Sequence, residues 1–387
     1  MKLLYITDAI AIVGGLERVL TDKANWFAHQ QGCEVMVVTV CQGAHPLAFP
    51  LQPEVIFCDL HIRFHEQYQY HAWKRLLKVR QLRQHFRQQL KRLIVDFAPD
   101  VIVCVRLDFV ADILRTKGNR PMVFESHASR KAHHFEKVGM LRQMHVWWQQ
   151  RKVRHAEAVV ALTEGDAQQW RKLTPRVTVI PNVVHLNDTG RVSDSKAKAA
   201  IYVGRFSYQK DIDSLFRIWQ MVRQRHPDWC LHIYGGYGNQ QEKYDAIKNS
   251  AKVEGIVVHK PMSEMQEAYL NSSLLLLTSR YEPFGLVMPE AMSYGLPVVA
   301  FDCPYGPADI ITDGVDGYLI ANRSDADFAD AVCSLIENDS RRHQMGGNAI
   351  DASQRYCSAT VMQLWKTLFK KLCTKDLAVT ENSVSLH

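Results

Sequence analysis

Short apolar runs of strand length alternate with stretches of helical periodicity along most of the chain. In the first half the runs fall at residues 3–7, 34–40, 55–60, 101–105, 122–125, 158–162 and 177–180, with helical spacing over 17–29 and 73–94. This alternation predicts a mostly parallel sheet covered by helices on both faces. Residues 187–198 break the pattern: they are polar, with Gly190 and a mixture of lysine and serine. A second alternation follows, with strands expected at 199–204, 231–234, 256–259, 274–278 and 297–301. Helices are expected at 211–225, 240–252, 262–270 and 289–294, and only helices after 318–320. The expected architecture is α/β, two doubly wound Rossmann-like domains in tandem facing across a cleft. The boundaries are a first domain 1–182, a hinge 183–198, a second domain 199–355, a helix 356–374 expected to pack back toward the first domain, and a frayed tail 375–387.

Composition narrows the class. The 387 residues, 47% of them apolar, fill the cores of two ordinary domains and exclude a peptide module, a coiled coil or a disordered scaffold. No apolar run reaches the ~20 residues of a spanning helix, and the first residues enter a strand without a signal-peptide core, so a cytosolic chain is expected. Nine cysteines, an odd number without a Cys-x-x-Cys pair, argue for reduced thiols rather than a disulfide framework or structural zinc.

Charge is uneven. Residues 1–175 hold 25 Lys+Arg against 16 Asp+Glu, and the remainder 22 against 24. Much of the excess lies in the helix 73–94, where Lys74, Arg75, Lys78, Arg80, Arg83, Arg87, Lys91 and Arg92 occur without an acid. Two readings stand: a solvated helix packed on the domain core, or one that docks on an anionic membrane surface; a nucleic-acid partner is not expected.

Candidate chemistry sits in loops that follow strands, since open α/β sheets bind ligands at the carboxyl ends of their strands. Gly14-Gly15, between the first strand and the first helix, exposes backbone amides to a phosphate or a sugar hydroxyl, although such pairs also serve as simple turns. Gly204-Arg205 through Lys210-Asp211 sets two cations five positions apart before a helix that Asp211 is placed to cap. Two solvated surface cations are the plainer reading of that segment. The richest segment is Glu282-Pro283-Phe284-Gly285-Leu286 with Glu290 in the first turn of the next helix: two carboxylates suited to sugar and ribose hydroxyls, with backbone amides between them. His127, one of 17 histidines, ends a strand, with His133 and His134 nearby and no spacing that suggests a metal cage. Asp211-x-Asp213 and Asp325-x-Asp327 are expected to be helix caps.

The run from Glu282-Pro283-Phe284-Gly285 to Glu290-Ala291-Met292, with Gly295-Leu296-Pro297 after it, resembles the paired-glutamate signature of retaining family-4 glycosyltransferases of GT-B fold. Gly14-Gly15, Ser126-His127, Pro181-Asn182, Gly204-Arg205 with Lys210, and Gly314 with Gly317 match further family positions. Residues 302–307 look like the variant found in bacterial capsule, O-antigen and other surface-polysaccharide transferases. Asp211 departs from the pattern, standing where many members carry glycine.

The resemblance implies that Arg205 and Lys210 hold the donor diphosphate, Glu282 the transferred sugar and Glu290 the ribose. It places Gly15, Gly204, Phe284, Gly285 and Leu286 at the donor, Gly14 and Gly15 at the acceptor, and His127 near the anomeric carbon. It also implies transfer of a hexose or N-acetylhexosamine from a nucleotide-diphosphate sugar, a UDP-sugar by preference, to a glycan or lipid-linked acceptor. No cofactor and no metal is expected, the cations doing the work of a divalent ion. The competing readings are a GT-B nucleotide-sugar epimerase and a basic membrane- or RNA-binding protein on an inactive scaffold.

Overall fold

The protein is described by a computed structural model covering residues 1–130, 139–236, 254–262 and 264–384. The helix expected at 240–252 and the histidines His133 and His134 lie outside the described residues. The chain divides into two compact units, Met1–Leu162 with Asp166–Val183 and Ala359–His387, and Thr163–Gly165 with Val184–Ser358.

In the first unit the strands are β1 (Lys2–Thr7), β2 (Glu34–Thr39), β3 (Val55–Asp59), β4 (Val101–Cys104), β5 (Met122–Ser126), β6 (Ala158–Ala161) and β7 (Val177–Val179). They form one parallel sheet in the order β3-β2-β1-β4-β5-β6-β7. The crossovers include α1 (Gly15–Ala28), α2 (Ala72–Phe97), α3 (Val110–Thr116), α4 (Met140–Val153) and α5 (Glu164–Arg171). Strands β1, β4, β5 and β6 are almost continuously buried, as a sheet covered on both faces requires.

Helix α2 is amphipathic over its last four turns. Leu82, Phe86, Leu90, Ile94 and Phe97 enter the core with Ile6, Val38 and Ile102. Asp112 of α3, 1% exposed, receives Arg83 and Arg87 from α2, so those two cations belong to the packed face and not to a free basic surface. Lys78 pairs with Glu66 at 3.0 Å. Trp73, Leu76 and Leu77 in the first two turns, by contrast, are exposed.

In the second unit β8 (Ala199–Gly204), β9 (Cys230–Gly235), β10 (Ile256–His259), β11 (Leu274–Leu277), β12 (Val298–Phe301) and β13 (Gly317–Ile320) make a parallel sheet ordered β10-β9-β8-β11-β12-β13. The order reverses between β8 and β11, and ligands of such sheets bind beyond that reversal. Around it lie α6 (Ile212–Arg225), α7 (Gln266–Leu270), α8 (Val287–Ser293), α9 (Gly306–Ile310), α10 (Asp325–Glu337) and α11 (Asp339–Ser353). Trp219, Phe301, Phe328 and Val332 fill the core.

The polar stretch before β8, expected as a hinge, is built into this unit. Ser193 Oγ donates to Ser272 O at 2.6 Å, and the Arg342 guanidinium donates to Ser195 O at 2.7 Å. The last helix, α12 (Ser358–Val384), groups with the first unit, where Phe369 meets Phe27 at 5.4 Å. The frayed tail expected at 375–387 falls where no side chain is described.

Candidate functional site

The loops after β8 and β11, adjacent strands at the reversal of the second sheet, are tied to each other. Arg280 N donates to Gln209 O at 2.7 Å, and the Gln209 side chain donates to Tyr281 O at 3.1 Å. This zipper brings Lys210, from one loop, to Glu282, from the other. Lys210 Nζ lies 2.5 Å from Glu282 Oε2, and Ser279 Oγ donates to the same oxygen at 3.2 Å. Glu282 is only 6% exposed, so its charge is held by that ammonium and hydroxyl rather than by bulk water. Its backbone is fixed as well: Glu282 N donates to Pro304 O at 2.7 Å, and Gly306 N donates to Glu282 O at 2.7 Å.

Gly285, at φ +91°, turns the chain into α8. A Cβ there would stand 2.6 Å from Met288 Cε and 2.9 Å from Glu282 Cγ, so the turn and the carboxylate arm need a residue without a side chain. Phe284 is buried, edge-on to Tyr356 at 5.3 Å, and Leu286 precedes the first residue of α8. Glu290 lies in the first turn of α8, half-buried, and accepts from Tyr269 OH at 3.2 Å. Gly204 ends β8, and Arg205 just beyond it is exposed.

Asp211 does not cap α6. It sits at φ +49°, the left-handed region that favours glycine, and its side chain accepts no hydrogen bond from the helix's backbone amides. Its carboxylate, 3% exposed, instead receives Arg280 and Arg323 at 2.6 Å each, with Ser214 at 2.9 Å. Arg280 stacks on Tyr208 at 4.6 Å, and Arg323 donates to Ser279 O at 2.6 Å. Asp325 and Asp327 are not caps either: Ser324 is the cap of α10 and accepts from Asp327 N. Arg280 and Arg323 were not among the residues expected from sequence, because the burial of Asp211 that calls for them appears only in the folded chain.

In the first unit Gly14 stands just before α1 in extended conformation, and Gly15 is the first helical residue. A Cβ on Gly14 would lie 2.5 Å from Glu17 Oε2, so the glycine lets that carboxylate fold back over the loop. His127 follows β5 and is 6% exposed, with Nε2 3.0 Å from Glu125 Oε1. Beside it Ser126 Oγ donates to Asp166 at 3.1 Å, and Arg130 N donates to the same carboxylate at 2.7 Å. Burial pushes the Asp166 carboxyl up to about 6 in spite of these hydrogen bonds. Among the described residues no group of three His, Cys, Asp or Glu side chains is arranged to hold a metal ion.

Comparison with known proteins matches a family model to each half. Residues 13–188 match the model of Glycosyltransferase Family 4, and residues 187–352 that of Glycosyl transferases group 1. The amylovoran biosynthesis glycosyltransferase AmsD of Erwinia amylovora is 32% identical over 55% of this chain. That match spans 62% of the Erwinia protein, less than two thirds of its length. The lipopolysaccharide 1,6-galactosyltransferase of Salmonella typhimurium is 24% identical over 88% of this chain and 90% of its own. Staphylococcus aureus TarM, solved with fondaparinux, α-GlcNAc-glycerol and UDP, superposes with a TM-score of 0.76 at 16% identity over 95% of this chain and 99% of that one, which shows the GT-B fold.

Proposed function

We infer that this chain, a GT-B protein made of a Glycosyltransferase Family 4 half and a Glycosyl transferases group 1 half, is a retaining glycosyltransferase of surface-polysaccharide assembly. It moves a hexosyl or N-acetylhexosaminyl unit from a UDP-sugar to a hydroxyl of a glycan or lipid-linked glycan. The observation that carries the reading is the Lys210–Glu282 pair at the reversal of the second sheet, with Glu290 one helical turn beyond the same loop. The relatives named for amylovoran and lipopolysaccharide synthesis, and the UDP and glycans in the TarM structure, support the choice of donor and acceptor class.

In this reading Glu282 accepts hydrogen bonds from the sugar hydroxyls, Glu290 from the ribose, and Arg205 and Lys210 face the diphosphate. As the anomeric C–O bond breaks, its electron pair goes to the leaving phosphate oxygen, where the two cations stabilise the growing charge. The acceptor oxygen bonds to the anomeric carbon on the face the phosphate leaves, and its proton passes to a phosphate oxygen. His127 and the Gly14-Gly15 loop are assigned to the first unit's share of the sugar and acceptor contacts. The cationic clamp makes a divalent ion unnecessary, so no cofactor is proposed.

The reading includes peripheral contact of the first unit with an anionic membrane, which a lipid-linked acceptor needs. Exposed Trp73, Leu76 and Leu77 stand beside exposed Lys74 and Arg75 on α2, and exposed Met140, Met144, Trp147 and Trp148 form a stripe on α4. No helix among the described residues is long and apolar enough to cross a membrane.

A panel of nucleotide sugars tests the reading. Binding of one UDP-sugar, with a transferred product whose anomeric configuration by NMR equals the donor's, is expected. An inverted product overturns the retaining assignment, an epimerised free nucleotide sugar favours the epimerase reading, and absence of nucleotide-sugar binding favours the inactive scaffold.

A further inference from the structure

Lys23 is a lysine at a core position. On α1 it shares the inward face with Val19, Leu20, Ala24 and Phe27, and its side chain is 1% exposed. The ammonium donates to both oxygens of Glu125, itself 1% exposed in the middle of β5 between Phe124 and Ser126. The rings of Trp365 and Tyr5 lie 4.4 and 5.9 Å from the ammonium, so aromatic faces stand where water would otherwise be. Glu125 is in turn the carboxylate beside His127, at 3.0 Å from Nε2 and off the line of a full hydrogen bond.

A buried ion pair adds little stability over apolar residues of the same volume, because desolvation offsets most of the attraction. Packing alone would be served as well by a Leu–Met contact. The two charges differ from such a contact in one respect: they set an anion, fixed on a strand, against the imidazole. Burial pushes the Glu125 carboxyl up, but Lys23 and His127 outweigh it and hold it down at about 2, so it is ionised throughout the neutral range. Among the described residues Tyr5 also faces this carboxylate, and its hydroxyl, raised by burial first and then by Glu125, stays neutral.

We propose that Lys23 and Glu125 are positioning residues for His127: Lys23 anchors the Glu125 carboxylate, and the carboxylate fixes the orientation of the imidazole. The inference rests on the transferase reading, in which His127 serves the reacting sugar. The pair acts through His127 and touches no substrate.

The test uses the charge-neutral double variant Lys23→Met/Glu125→Gln, because either single change strands a buried charge and can unfold the chain. The ring signals of His127 are followed by NMR in the full-length protein without substrate, assigned by their loss in His127→Ala. In the double variant the single set of signals of a held imidazole is expected to broaden or split as the ring samples further rotamers. The kcat for sugar transfer is expected to fall roughly tenfold or more, with the donor KM changing about twofold or less. Glu125→Asp, which keeps the charge on a shorter arm, should recover part of kcat. Ring signals unchanged in a folded double variant overturn the positioning role whatever the activity. Changed ring signals with unchanged kcat overturn the link to transfer. A wild-type protein that transfers no sugar overturns the transferase reading instead, and leaves the ring signals to judge the positioning.

Discussion

Glu282 and Lys210 hold each other beside Ser279, their side chains only 8% and 15% exposed. In the proposed reaction each makes a charged contact with the sugar or the leaving phosphate, and such contacts strengthen as charge develops. Glu282→Ala and Lys210→Ala are therefore each expected to lower kcat/KM by roughly 10²-fold or more with the fold retained by circular dichroism, and wild-type rates in either would remove the site assignment. Asp211 separates two demands, a left-handed backbone and an anion for Arg280 and Arg323. Asp211→Gly loses the anion but also relieves the steric cost of a Cβ at φ +49°, whereas Asp211→Ala loses the anion and keeps that cost. The alanine variant should be about 1 kcal/mol less stable than the glycine variant in urea. Equal midpoints would mean that the backbone relaxes out of the left-handed region. Part of this was legible: Glu282, Glu290 and Lys210 stand out by motif, but the partners of Asp211 did not, since Arg280 and Arg323 are 69 and 112 positions away along the chain.

At the scale of elements, α2 shows how one periodic pattern splits into two roles. Its last four turns are a core helix with Arg83 and Arg87 committed to Asp112, and its first two turns present Trp73, Leu76 and Leu77 beside Lys74 and Arg75. Periodicity alone cannot find the switch, because it depends on which turns of α2 other elements of the unit cover. The proposed membrane contact of this helix belongs to those first turns. Replacing Trp73, Leu76 and Leu77 by glutamine is expected to weaken binding to phosphatidylglycerol vesicles at low salt by about tenfold. Thermal stability should hold, as these side chains are already in water; unchanged vesicle binding would remove α2 from the docking surface. Helix α5 carries the acid that pins the loop after β5, and its behaviour with pH has a definite sign. Asp166 is raised, by burial above all, from an ordinary 3.8 to about 6, so the folded protein binds this proton more tightly than the unfolded chain does. The stabilisation is complete below pH 3.8 and is lost as pH rises through about 6. Wild type should accordingly gain thermal stability relative to Asp166→Asn as pH falls from 6 to 4, and a constant difference across that range would contradict the shift.

For the whole molecule, the proposed cationic clamp predicts that transfer persists in excess chelator. Complete loss, restored by magnesium or manganese, would show that a metal shares the diphosphate. The strand order was implied by the sequence only as a class: alternation of apolar runs and helices demands parallel strands with crossovers, and both sheets obey it. Short-range pattern thus determined every strand except β13 and most helices, because burial on both faces writes apolar runs into the chain. It also determined the glycine and glutamate loops, whose chemistry is local. Tertiary structure alone decided which charges are buried and with whom. Lys23 meets Glu125 across 102 positions, Lys210 meets Glu282 across 72, and the α2 arginines meet Asp112 across 25 and more. A buried charge is tolerated only where a partner arrives, and the partner comes from another crossover of the sheet, which no periodicity within one segment can register.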